Sequence, residues 1–141
     1  MIVEELEGGH SFKGAIAYIT HDRDRAQSAE RVAWVETLNA RTDDPERAAN
    51  QMAFVAMNAD YIKEQNGSRA GRKAQHAPVC HFHVSFHESD RDKLDKDLML
   101  DAARGVLKAY GLENHQAIIS HHTDTAHPHV HIVANRVDWQ T

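Results

Sequence analysis

The chain has 141 residues, 41% hydrophobic and 26% charged, which is enough apolar material for one domain with its own core. Its single cysteine, Cys80, excludes an internal disulfide and a cysteine-rich zinc site. A net charge of −5 argues mildly against a nucleic-acid partner, no apolar run is long enough to span a bilayer, and the acidic start MIVEELEGG lacks the apolar centre of a secretion signal, so a cytoplasmic protein without membrane insertion is expected.

In chain order, SFKGAIAYITHD (11–22) spaces Phe12, Ile16 and Ile19 by four and three, which predicts a short helix with Ser11 near its cap and Tyr18 off the Phe12/Ile16 stripe. RVAWVETL (31–38) alternates as a strand. A helix follows, with Asp44 as N-cap, Pro45 in the first position, Met52, Val55, Ala56 and Ala59 on its apolar stripe and Gly67 beyond its end. GSRAGRK (67–73) reads as a basic loop; its Arg69, Arg72 and Lys73, with Lys63, form the local positive patch of an otherwise acidic chain. PVCHFHVSFHESD alternates strictly, sending His81, His83, Ser85 and His87 to one face and Cys80, Phe82, Val84 and Phe86 to the other. A solvated sheet face is the expectation for most of those histidines, with contacts behind a metal site as the alternative.

Next, DKLDKDLMLDAARGVLKAYG returns to helical spacing through Leu94, Leu98, Ala102 and Val106 and is closed by Gly111. QAIISHH and HVHIVANRV are two last strands, joined by TDTAHP, whose Pro128 does not suit the centre of a sheet. The order is helix, strand, helix, strand, helix, strand, strand. Neighbouring strands at the end predict an α+β fold, an antiparallel β-sheet with helices mainly on one face.

Five of the twelve histidines fall within 121–131. Strand parity places His129 and His131 on one face, and an adjacent antiparallel strand can return His122 to the same patch. Three neutral imidazoles with open positions describe a catalytic divalent-metal site rather than a closed structural one. Parity sends His121 to the opposite face, and His127 sits in the turn. Asp124, two residues after His122, shares its parity but equally suits a turn-capping role.

HTDTAHPHVHIVANRV resembles the third motif of conjugative relaxases, plasmid mobilisation nucleases of the HUH endonuclease superfamily. SFKGAIAYITHD resembles their first motif, with its nucleophilic tyrosine, and FHVSFHESD their second, built around a serine. The likeness is nearest to the single-tyrosine branch that mobilises broad-host-range plasmids and agrobacterial transfer DNA. It implies an HUH-endonuclease-like fold and site- and strand-specific DNA nicking and strand transfer at a plasmid origin of transfer. In it Tyr18 attacks the scissile phosphate, His122, His129 and His131 hold a divalent ion (Mn²⁺ or Mg²⁺, with Zn²⁺ as an alternative), Asp124 lies beside them and Ser85 helps to hold DNA. It further implies single-stranded DNA, accessory relaxosome proteins and the conjugation coupling machinery as partners. Because such proteins continue into further domains, residues 1–141 are expected to form the N-terminal relaxase domain of a longer protein. Tyr61 and Tyr110 compete as nucleophiles only in principle, since both sit where packing residues are expected. The alternatives are a rolling-circle replication initiator of the same superfamily, or a metal- or nucleic-acid-binding domain that does not cleave.

Overall fold

The strict alternation from Val79 onward has its physical counterpart in the middle of a five-stranded sheet. The computed structural model describes residues 1–9, 11–20, 32–58, 78–122 and 128–137. Its strands are β1 (Ile2–Gly9), β2 (Val32–Leu38), β3 (Val79–Ser85), β4 (Ala117–His122) and β5 (His129–Asn135), in the order β1-β3-β5-β4-β2 with every pair antiparallel. The helices are α1 (Phe12–Thr20), α2 (Pro45–Met57) and α3 (Lys96–Ala109), the last preceded by a 3-10 turn at Glu88–Lys93. The expected antiparallel α+β sheet is therefore the observed one, with its helices divided two to one over the faces.

Each helix starts where a side chain can accept an otherwise unpaired N–H. Ser11 Oγ accepts from Gly14 N (3.0 Å), Asp44 Oδ1 from Glu46 N (3.1 Å) with Pro45 next to it, and Asp95 Oδ1 from Leu98 N (2.8 Å). Gly111 closes α3 at φ +75°, where its own N–H reaches Lys108 O (3.0 Å) and that of Leu112 reaches Leu107 O (2.7 Å). That paired C-terminal closure favours glycine because a Cβ is strained at positive φ.

Two cores flank the sheet. On one face α1 and α2 bury Phe12, Ile16, Ile19, Ala48, Ala49 and Met52 against Val79, Ile118 and Val133. On the other, α3 buries Met99, Leu100, Ala103, Val106 and Leu107 against Phe82, Val84, Ile119, Val130 and Ile132. Of the stripe expected for α3, Val106 is buried in this core and Leu94 and Ala102 pack against it, whereas Leu98, in the first turn after the Asp95 cap, is 50% exposed. The second helix of the sequence reading is observed to Met57, and its expected continuation to Gly67 lies outside the described residues, as does the basic loop at 67–73.

Strand β1 was not anticipated. Among the described residues it lies at the sheet edge with β3 as its one neighbour, and its sequence, IVEELEGG, mixes acids into both faces and loses the alternation that marks a buried strand. Its register with β3 shifts between Leu6 and Gly9, where Gly8 passes so close to β3 that a Cβ on it would meet the Val79 carbonyl at 2.1 Å.

Candidate active site

The three central strands bring the imidazoles together by register. Across β3 and β5, His83 stands opposite His131 and Ser85 opposite His129; across β4 and β5, His122 stands opposite His129 and Ser120 opposite His131. Directly opposed residues on one face have neighbouring side chains. His122 is therefore returned to the face of His129 and His131, as parity and the β4–β5 hairpin require. His121 goes to the other face, where its ring lies 5.7 Å from that of Trp34.

The cluster that results has five rings among the described residues. His122 lies 4.5 Å from His131 and 5.3 Å from His129, His83 lies 4.8 Å from His129 and 4.9 Å from His131, and His81 lies 5.1 Å from His131, all between ring centroids. His81, His122, His129 and His131 are buried and His83 is half-buried. The solvated face expected for the β3 histidines is found only at His87, which is exposed beyond the strand end, where its Nδ1 accepts from Ser89 N (3.1 Å).

Burial, reinforced by repulsion from the neighbouring imidazoles, lowers the pKa of His131 to about 2 and that of His81 to about 4. The same burial lowers that of His83, with His129 adding to the effect and Glu4 opposing it. At neutral pH these three rings are uncharged, which is the state in which imidazole binds a metal.

The hydrogen bonds assign work within the cluster. His81 Nε2 lies 2.9 Å from His131 Nδ1. With His131 Nδ1–H as donor, His131 Nε2 carries the lone pair, an arrangement typical of the partner behind a ligating histidine. His122 Nε2 lies 2.7 Å from the carbonyl oxygen of Ile19 in α1 and 3.1 Å from Ser120 Oγ. Since a carbonyl only accepts, Nε2 must donate, and the His122 lone pair sits on Nδ1.

This bond fixes the last turn of α1 to β4, one residue beyond Tyr18. Tyr18 lies in α1, but its side chain is outside the described ones, as are residues 123–127 with Asp124 and His127, and Arg69, Arg72 and Lys73. Ser85 is half-buried at the C-terminal end of β3, with its Oγ at a long 3.4 Å from His83 Nδ1.

Among the described residues, the three whose ring nitrogens all lie within 4.8 Å of one another are His83, His129 and His131. Two of them are the expected pair. The third comes from β3, and its signal was the imidazole-rich alternation of HFHVS read together with a cross-strand register that the sequence does not contain.

The family model of the relaxase MobA/VirD2-like nuclease domain matches residues 18–141. The chain belongs to this relaxase family. The match begins at Tyr18 and includes β2 to β5, α2 and α3, so the imidazole cluster lies wholly inside it. A comparison with curated proteins gave no match. The relaxase is accordingly a DNA-nicking nuclease domain, and its set of three closely placed imidazoles, His83, His129 and His131, suits a divalent metal. No helix among its described residues is long and apolar enough to cross a membrane.

Proposed function

We propose that the domain nicks one DNA strand at a plasmid origin of transfer through Tyr18, forming a reversible covalent link, with a metal held by His122, His129 and His131. The observation that supports this most is the bond from His122 to the Ile19 carbonyl, because it ties the turn that carries Tyr18 to the strands that carry the imidazoles. The two bonded residues are 103 positions apart in the chain.

The Tyr18 oxygen attacks phosphorus, the phosphorus–O3′ bond breaks, and the departing oxygen takes a proton to become a 3′ hydroxyl while the 5′ phosphate stays on tyrosine. A phenol with its usual pKa near 10 is a weak nucleophile at neutral pH, so its proton needs an acceptor. Asp124 is assigned that task, or the orientation of a ligand imidazole. The bound ion, Mn²⁺ or Mg²⁺ with Zn²⁺ as the alternative, supplies positive charge that offsets the charge gathering on the phosphate oxygens. Ser85, opposite His129 at the end of β3, is assigned to hold the strand near the cleaved bond. One ester is exchanged for another of similar energy, so the same site can rejoin the ends, which strand transfer requires.

The partners that go with this reading are single-stranded DNA at the origin, accessory relaxosome proteins and the coupling machinery, in the cytoplasm. Incubation with supercoiled parental plasmid and Mn²⁺ or Mg²⁺ should give open circles with protein attached. Plasmid that stays supercoiled with every divalent ion, or open circles free of protein, would contradict it.

A further inference from the structure

We propose that His83 is a ligand of the same divalent ion as His129 and His131, so that β3 supplies a direct contact to the metal in addition to those from the strands of the histidine-rich hairpin. The inference rests on the metal-binding reading of this cluster and extends it to a strand that reading leaves out.

Three observations carry it. His83 faces His131 directly across β3 and β5, a relation fixed by continuous backbone pairing from Val79 to Ser85. Its ring nitrogen shares with His129 and His131 a mutual separation of at most 4.8 Å, near enough for modest side-chain rotation to bring all three to the roughly 2.0–2.1 Å of a metal–imidazole bond. It is also the half-buried member of the cluster, with Ser85 Oγ 3.4 Å from Nδ1, which leaves Nε2 as the nitrogen for a ligand.

His122 differs in this respect. Its Nε2 is engaged by α1, and it can approach an ion through Nδ1 alone. The set of His83, His129 and His131 is all nitrogen, with as many imidazoles as the hairpin triad. Nitrogen-rich sets follow the order Mn²⁺ below Co²⁺ below Ni²⁺, with Zn²⁺ also strong, and bind Mg²⁺ poorly.

The test is NMR of the ¹⁵N-labelled protein with sequence-specifically assigned histidine rings, before and after one equivalent of Zn²⁺. A ring nitrogen of His83 should move upfield together with one each from His129 and His131. His83 nitrogens that stay in place while those of His129 and His131 move would overturn the proposal and leave the metal reading intact; no movement in any of the three would defeat both. Calorimetric titration of His83→Gln with Co²⁺ gives the affinity: a loss of at least about tenfold is expected, since even partners behind a ligand cost that much. Unchanged affinity in a variant that melts like the wild type in chelator would again overturn it. Should the variant fail to fold, the NMR result on the unaltered protein decides.

Discussion

His122 has two separable roles, and replacing it with leucine in the absence of metal isolates one of them. Leucine approximates the volume of the ring but removes Nε2–H, leaving the Ile19 carbonyl without its donor at a place where Ile19 is 0% and His122 1% exposed. An unsatisfied buried acceptor costs about 1–3 kcal/mol. With an unfolding entropy of roughly 2 cal/mol/K per residue, a domain of this length has about 0.3 kcal/mol/K in total, so the melting temperature should fall by about 3–10 °C. The assay is thermal denaturation followed by circular dichroism at pH 7.5 with excess EDTA, where loss of a metal ligand cannot contribute. A melting temperature within about 1 °C of wild type, or a drop that appears only when metal is added, would refute the tie between α1 and β4.

Acid should weaken the metal-free fold. His131, His81 and His83 have pKa values below the unfolded value near 6.5, so above that pH neither state is protonated and their stability contribution is intact. As pH falls below 6.5 the unfolded chain takes up protons that the native cluster refuses, and the His81 contribution is fully lost only below about 4. Urea titrations in EDTA should therefore give lower stability at pH 5 than at pH 7.5; equal values would contradict the buried neutral cluster. Asn135 is fully buried, donating to Met52 O (3.1 Å) and Gln116 Oε1 (3.2 Å) and accepting from Val137 N (3.0 Å), so Asn135→Ala should cost about 2–4 kcal/mol in the same titration, and a loss below about 0.5 would contradict that network. Changing Arg69, Arg72 and Lys73 together to glutamine should lower the log–log salt slope of single-strand binding by about 2, from roughly 0.7 per phosphate contact; an unchanged slope places the strand elsewhere.

Period-two patterning was readable wherever a strand has distinct faces. It placed His129 with His131, His121 opposite His122, and Cys80, Phe82 and Val84 toward the α3 core. The caps at Ser11, Asp44 and Gly111 were readable because each acts within a few residues. Two things were not. Strand β1 has one neighbour among the described residues and acids on both faces, so no alternation marks it. The place of His81 and His83 depends on the pairing of β3 with β5, some fifty residues apart, and an imidazole-rich face reads the same whether it meets water or another row of imidazoles. The bond from His122 to Ile19 is of the same kind, joining groups 103 residues apart in the chain.

The claim that a tyrosine of α1 performs the nicking is tested most directly on a denaturing gel. An end-labelled single-stranded oligonucleotide containing the cognate nick site, mixed with the domain and a divalent ion, should yield a slow-migrating band of DNA covalently joined to protein. Tyr18→Phe removes one oxygen and keeps the aromatic volume, so the variant should fold and bind DNA like the wild type and give no such band. An undiminished band from Tyr18→Phe, or its loss in Tyr61→Phe or Tyr110→Phe instead, would contradict the account.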